Sequence, residues 1–544
     1  MKSLPNQDSW PLNSAHSSCE PTGRHSTATA GGSRINVRTP DRPVRGCDHF
    51  TDLFPQRRAV HAQARKNTNR QLRVMKFGGT SVGDASCIAR VVEIISLASR
   101  NSDLVVVVSA MSGVTNKLIE AAMLCEAGNQ LEADKIFEGL ERQHELAAKA
   151  LIHSPIENVR VLHEMRAILQ EGRVLCQATC MSRELSLRVR DAISSLGERL
   201  SAPLVAAALI CHGVPSEAIE ATEVVVTNSC FGGAEPHMDR TRERCEERLR
   251  PILRRSVIPV VTGFIGATGD GDLTTLGRGG SDYSATILAA ALRANEVIIW
   301  TDVDGVLTSD PRLVPGACTI PEISYHEAAE LAHFGAKVLH PKTLRPLLQS
   351  EIPVWIRNTF APEKLGTKVT PEGSSNNGEV KALTAVSDAA LIKVGGPAMA
   401  DVPNVLARTF RAIAAARAEV LLVLQASSQN HVRLVIPSAI ANHAVETLRR
   451  EFAQDLTDEA AAHIALDSTI GIVTIVGQHM RQVSAVIGRT FCALDREKVR
   501  IIAVAQGSSE CNVSFVVERK DVTAALICTH REFKLGVLDP VEHS

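Results

Sequence analysis

The run Asp103-Leu104-Val105-Val106-Val107-Val108-Ser109 is apolar at every interior position and too short for an ordinary helix. A strand with one face in water alternates apolar and polar residues, whereas a strand apolar throughout has both faces covered. Its neighbours supply the cover. Leu72 to Phe77 is a strand of alternating type, Gly78-Gly79-Thr80-Ser81-Val82-Gly83 is a turn, and Asp84 caps a helix with Ile88, Val91, Val92 and Ile95 at helical spacing. Residues 117–151, 159–175 and 186–208 read as helices, the last with Gly197 inside it. Strands at 223–227, 257–265, 296–301 and 353–358 then alternate with helices ending near 254 and spanning 284–294, 325–334 and 341–350. This alternation predicts an α/β fold with a mainly parallel sheet covered by helices.

Gly, Ser, Asn and Pro crowd residues 362–379, a linker signal, and the rhythm then changes. Glu419 to Ser428 and Arg500 to Ser509 share one pattern: a strand, then Gln-small-Ser-Ser, then another strand. This is an internal repeat of two copies, each roughly β-α-β-β-α with helices on one face of a sheet. Residues 1–70 are rich in Ser, Thr, Pro, Gly and Arg and carry no periodicity, which reads as a disordered extension. They hold no apolar core of a secretory signal. Arg outnumbers acid there, so a plastid transit peptide stays open beside a cytoplasmic location, although Asp8, Glu20, Asp41, Asp48 and Asp52 are unusual in one. An overlong start of the reading frame fits equally. The expected organisation is an extension at 1–70, a catalytic domain at 71–365, a linker at 366–380, and α+β units at 381–465 and 466–544.

A chain of 544 residues exceeds one hydrophobic core. Its net charge of −1 and 3% aromatic content give no electrostatic or stacking case for nucleic acid. Runs such as Leu204 to Cys211 are far short of a membrane span, so no membrane partner is expected. The thirteen cysteines form no C-x-x-C pair and suggest buried thiols in a reducing compartment.

The chemistry concentrates in Gly277-Arg278-Gly279-Gly280-Ser281-Asp282-Tyr283-Ser284, which runs straight into an apolar helical pattern. Glycines admit close approach, a helix start offers free N–H groups, and Arg suits carboxylate or phosphate. The stretch reads as an anion site, or else as a plain turn capped by Ser281 or Asp282. Gly79-Thr80-Ser81-Val82-Gly83 matches the G-x-S-x-G elbow of serine hydrolases. The elbow normally follows several strands; this one follows the first, so a phosphate-binding turn with Lys76 as its charge partner competes. It is not a P-loop, because the Lys precedes the glycines. His326-Glu327-Ala328-Ala329-Glu330 lacks the second His of a zinc helix, and Cys176 with Cys180 lacks a second pair. The strand 298–301 ends in Thr301, Asp302 and Asp304, at the edge where open α/β sheets bind ligands.

Taken in order, several stretches resemble aspartate kinases of the amino acid kinase family. They are Lys76-Phe77-Gly78-Gly79-Thr80-Ser81, Ser109-Ala110 through Thr115-Asn116, Gly197-Glu198-Arg199-Leu200-Ser201, Gly263-Phe264-Ile265-Gly266, Leu276 to Tyr283, Trp300-Thr301-Asp302-Val303 and Phe334 to Pro341. The C-terminal repeat resembles paired ACT domains, most of all those of threonine-sensitive aspartokinase–homoserine dehydrogenases. The sequence stops at Ser544 with no G-x-G-x-x-G, so it is similar to the kinase half alone. The resemblance implies a three-layer α/β/α sandwich followed by two ferredoxin-like α+β ACT domains. It implies ATP and L-aspartate as substrates, Mg²⁺ as cofactor, and formation of 4-phospho-L-aspartate, the first step of lysine, threonine and methionine biosynthesis. It also implies feedback by threonine or lysine and homo-oligomers through the ACT domains.

By the same resemblance Lys76 and Asp282 are catalytic. Thr115, Glu198, Phe264, Arg278 and Ser281 bind aspartate, with Arg278 on a carboxylate and Glu198 on the ammonium. Lys76, Gly78, Gly79, Thr301, Asp302, Arg312 and Lys337 serve ATP, and Gln425, Gln506 and Asn512 serve the effector. No residue is implied as a direct metal ligand. The chain departs from the family pattern at Leu307, where a Tyr is common, at Asn404, and at Gln429-Asn430. A catalytically dead amino-acid sensor and another amino-acid kinase are the alternative readings.

Overall fold

The computed structural model describes residues 70–336, 339–374, 380–395, 402–425, 431–453, 463–478, 480, 484–507 and 510–536. The main sheet has eight strands. From one edge they are Ser216–Ile219, Ile258–Thr262, Ser102–Val108, Gln71–Phe77, Glu296–Thr301, Val354–Asn358, Thr367–Thr370 and Glu322–Ser324. Every pairing is parallel except that of Val354–Asn358 with Thr367–Thr370.

The strand Ser102–Val108 shows why its run is apolar throughout. Leu104, Val106 and Val108 join a core built with helices Ala85–Ser99, Val114–Glu126, Gln130–Leu151, Pro155–Ser182 and Leu187–Cys211. Val105 and Val107 join the opposite core, built with helices Met238–Arg254, Gly280–Leu292 and Tyr325–His333. Each of these four valines is fully buried, a gain of about 2 kcal/mol apiece over exposure. The three-layer sandwich follows from that alternation. Helix Leu187–Cys211 is long and apolar enough to cross a membrane, yet its most apolar window is 89% buried inside this fold.

Several boundaries differ from the sequence reading. Residues 117–151 form two helices because Gly128, at φ 87°, ends the first in a left-handed turn. The strand expected at 257–265 breaks at Gly263-Phe264, where Phe264 has φ 69°. Of residues 223–227, Val226–Thr227 alone are a strand. The helix expected at 341–350 is a single turn, Pro341–Leu344, followed by the 3-10 turn Arg345–Leu347. The linker expected at 366–380 contains the strand Thr367–Thr370, which belongs to the main sheet.

The C-terminal region is a six-stranded antiparallel sheet. Its order is Leu422–Gln425, His431–Pro437, Val380–Gly395, His463–Gly477, Asn512–Glu518, Ile501–Gln506. Helices Val402–Ala415 and Ser438–Glu451 pack on one half, and Ser484–Arg496 and Val522–Glu532 on the other. The two long strands serve both halves. The second unit takes its fourth strand from the first part of Val380–Gly395, which pairs with Ile472–Gly477. The units therefore do not follow one another as 381–465 and 466–544; the first is nested inside the second. This second unit sits against the α/β domain. Lys381 Nζ lies 3.0 Å from the buried carboxylate of Glu327, and Thr308 Oγ1 lies 3.0 Å from His530 Nε2.

Candidate active site

The site forms where the parallel strands end. Lys76, near the C-terminal end of the central strand, is 8% exposed. The turn after it is tight on both sides. Gly78 N donates to Trp300 O at 3.1 Å, and a Cβ on Gly79 would stand 3.1 Å from Ala110 O. Ser81 is buried, with its hydroxyl 2.7 Å from Thr359 Oγ1. It ties the turn to a neighbouring strand end, and this disposes of the hydrolase reading, since a nucleophile must be reachable.

The second wall comes from the segment after Ser102–Val108. Gly113, at φ 78°, ends that segment and starts helix Val114–Glu126, whose first-turn residues Thr115 and Asn116 line the cleft. Helix Leu187–Cys211 passes beneath. A Cβ on Gly197 would come within 2.6 Å of Ala110 Cβ, so glycine there admits the loop and brings Glu198 under it. Glu198 is 4% exposed and its Oε2 has no hydrogen-bond partner among the described residues. Burial pushes its carboxyl up to about 8, against the opposing pull of the Ala110 N–H, its own N–H and the Lys76 charge.

The third wall is the glycine-rich loop. Gly277 and Gly279 have φ of 77° and 67°, conformations that a side chain disfavours. A Cβ on Gly280 would meet Phe264 Cδ2 at 2.6 Å, and one on Gly263 would meet Ser281 Cβ at 2.7 Å. Phe264 is the centre of a three-residue turn closed by Ile265 N donating to Gly263 O at 2.8 Å, a strained conformation of the kind that collects at functional sites. Asp282 lies in the first turn of helix Gly280–Leu292, and its Oδ1 is 2.5 Å from Lys76 Nζ. Asp191, buried in the same helix as Glu198, holds the approach to the loop. It accepts from Gly232 N at 2.8 Å, Thr275 N at 2.9 Å and Thr275 Oγ1 at 2.8 Å.

These elements enclose a cleft of ≈ 520 Å³. Of the residues named from the sequence, it brings together Lys76, Gly78, Gly79, Thr115, Glu198, Phe264, Ser281, Asp282, Thr301 and Asp302. Arg278 is exposed between two glycines that line the cleft and does not line it itself. Arg312 does not line it either; its guanidinium is held by Asp310 at 2.6 Å. Lys337 lies outside the described residues, as do Gln429 and Asn430 and the side chain of Gln425. Gln506 is exposed at the end of an edge strand. Asn512 is buried, accepts from Gly507 N at 3.1 Å and donates to Glu330 of the catalytic domain.

The sequence reading missed Thr80, Ser112 and Asn116, which line the cleft, and Asp191. The left-handed Gly113 before an apolar helical pattern was the available signal for Ser112 and Asn116. For Asp191 it was the spacing of i, i+7 to Glu198, which puts both on one helix face.

The cleft can hold anions against N–H groups and Lys76, and a cation against Glu198, side by side. Comparison with known proteins agrees. The amino acid kinase family profile matches residues 71–358, and an ACT domain profile matches residues 392–452 and 473–533. A bifunctional aspartokinase/homoserine dehydrogenase of Haemophilus influenzae is 32% identical over 473 residues, 85% of this chain and 56% of that protein. The chain thus spans about half the length of the bifunctional relatives it matches. The crystal structure of E. coli aspartokinase III with aspartate and ADP, in its R-state, superposes with a TM-score of 0.71 at 31% identity, covering 85% of this chain and 99% of that one. The same enzyme with lysine and aspartate, in its T-state, gives 0.70 at 29%, with the same coverage.

Proposed function

Because the chain belongs to the amino acid kinase family, we propose that it transfers the γ-phosphoryl group of ATP to the side-chain carboxylate of L-aspartate, yielding 4-phospho-L-aspartate and ADP. The observation that carries this reading is the Lys76–Asp282 pair beside the buried, half-satisfied Glu198 in one cleft. The capture of aspartate and ADP by E. coli aspartokinase III supports it.

The attacking carboxylate is ionised at neutral pH, so no general base is required. Its oxygen forms the new P–O bond while the bond to the bridging oxygen of ADP breaks. The protein's task is to bring two anions together and offset charge on the transferred group. Lys76 and the Gly78–Gly79 turn face the phosphates, and Asp282 fixes the Lys76 ammonium. Glu198 receives the substrate ammonium, and Arg278 turns inward on its two glycine hinges to take a substrate carboxylate. Thr301 and Asp302 meet the nucleotide. Mg²⁺ needs few protein ligands when phosphates supply the rest, and the site fits that role. Besides Glu198, which faces the substrate ammonium, Asp282 and Asp302 are the carboxylates lining the cleft and would stand nearest the ion. When bound with ATP, the ion would neutralise phosphate charge. The C-terminal pair is the seat of feedback by lysine or threonine and of subunit pairing.

A coupled ADP-release assay tests the reading with aspartate, glutamate, N-acetylglutamate and uridylate as acceptors. ADP release that depends on aspartate is expected. Release with another acceptor alone, or with none, would overturn it.

A further inference from the structure

We propose that a second cavity, which shares Met111 with the catalytic cleft, binds a small organic phosphate. It has a volume of ≈ 720 Å³ and lies between the start of helix Ala85–Ser99, helix Val114–Glu126 and one face of helix Gln130–Leu151. Its cations are Lys117, Lys135 and Arg142, against one lining carboxylate, Asp84. Asp84 is already engaged: it caps its helix by accepting from Cys87 N at 2.9 Å and from Ser86 Oγ at 2.7 Å. Lys135 is paired with Glu132 at 2.7 Å. The side chains of Lys117 and Arg142 form no ion pair or hydrogen bond with the described residues; both, like Lys135, are exposed, so the cavity mouth presents open positive charge.

The helix face is shaped for an occupant. Lys135, Gly139, Arg142 and Leu146 recur at i, i+4, i+7 and i+11, in one line along the cavity. Glycine inside a helix is about 1 kcal/mol less favourable than alanine. Here nothing in the packing requires it, because a Cβ on Gly139 would meet no atom within 4 Å. The glycine leaves the floor open. The planar fork of Arg142 and the point charge of Lys117 suit phosphate oxygens. Leu146, 63% exposed, and the wall of Met111 suit an organic body rather than a bare ion.

The position adjoins the catalytic cleft. Met111 lines both cavities. Its neighbour Ala110 bonds Glu198 through the backbone, and Thr115 and Asn116, which line the cleft, precede Lys117 in one helix.

Titration calorimetry of phenyl phosphate into the full chain tests this, with Lys117→Gln, Arg142→Gln, Gly139→Leu and Lys76→Ala alongside. The expected result is a weakening of about tenfold or more for each of the first three, with no change for Lys76→Ala. Inorganic phosphate should bind less tightly than phenyl phosphate. Absence of binding, or binding lost in Lys76→Ala and kept in the other three, overturns the proposal. Tricarballylate binding more tightly than phenyl phosphate would make the site one for carboxylates and also overturn it. Gly139→Leu fills open space on a helix, so its effect stands apart from any folding defect. None of these outcomes depends on which acceptor the catalytic cleft phosphorylates.

Discussion

Glu198 has two states with opposite value to the enzyme. Empty and buried, its carboxyl is held near 8 and is mostly protonated at neutral pH. Beside a substrate ammonium it must be ionised. Binding therefore releases a proton whenever the pH lies below about 8, and aspartate affinity should rise by about tenfold per pH unit up to that point, then level off. The same shift makes the free enzyme less stable as pH rises from the ordinary Glu range toward 8, because the unfolded chain ionises first. Isothermal titration with aspartate between about pH 6 and 9 reads the slope, and Glu198→Gln should abolish it while weakening binding. A flat profile in the wild type would remove Glu198 from the ammonium's path. Lys76 makes a simpler prediction. Lys76→Ala should lower turnover by roughly a thousandfold or more with only a modest fall in melting temperature, since the freed partner, Asp282, is 18% exposed and faces the open cleft, where water can reach it. Near wild-type turnover in a folded variant would sink the assignment. Both residues were legible because they sit inside short motifs, Lys76 near a strand end and Glu198 beside Gly197 in the middle of its helix. Arg278 was legible as a cation in a glycine loop, but its exposed orientation was not, because flanking φ values and tertiary neighbours aim a side chain. Asp191 was read as one more helix residue, for its partners lie 41 and 84 residues away.

At the scale of elements, glycines decide how near the walls come. Gly197 and Gly139 both stand inside long helices, yet their surroundings are opposite. An added Cβ is 2.6 Å from Ala110 at the first and meets nothing at the second. Gly197→Ala should push the Ser109–Gly113 loop away from Glu198 and raise the KM for aspartate by roughly tenfold, because small displacements of positioning elements are expensive in rate. Gly139→Ala should leave turnover unchanged and raise stability by up to about 1 kcal/mol. Steady-state kinetics and thermal melts on the two variants give the comparison; equal kinetic effects would show that close approach at Gly197 is not what matters. The strand and helix alternation was legible because its period follows from burial on both faces. The break at Phe264 was not, because a non-glycine residue at φ 69° is held there by its neighbours, including Ser284 Oγ bonding its N–H at 2.9 Å.

For the whole molecule, the repeat was legible but its nesting was not. Sequence similarity between two copies says nothing of which strand completes which sheet. That exchange is what brings Val380–Gly395 against the catalytic domain. Lys381 then meets Glu327 in a pair exposed by 8% and 0%, in the helix whose Glu330 bonds Asn512. The helix is fixed at its start by the reciprocal Ser324–Glu327 cap, so Glu327 serves the cap and the interface at once. Removing one partner strands a buried charge and should destabilise by about 3–5 kcal/mol, whereas replacing both by apolar residues is often near neutral. Lys381→Met should therefore melt well below the wild type, and Lys381→Met with Glu327→Leu should recover most of the loss apart from the cap, worth about 1 kcal/mol. If the pair transmits the state of the ACT units, the double variant should also fold normally and turn over, yet show no response to whichever of lysine or threonine shifts the wild type. Additive losses in the double-mutant cycle would show that the two side chains do not act together. A retained effector response would move the coupling to the other bridge between the domains, Thr308 and His530.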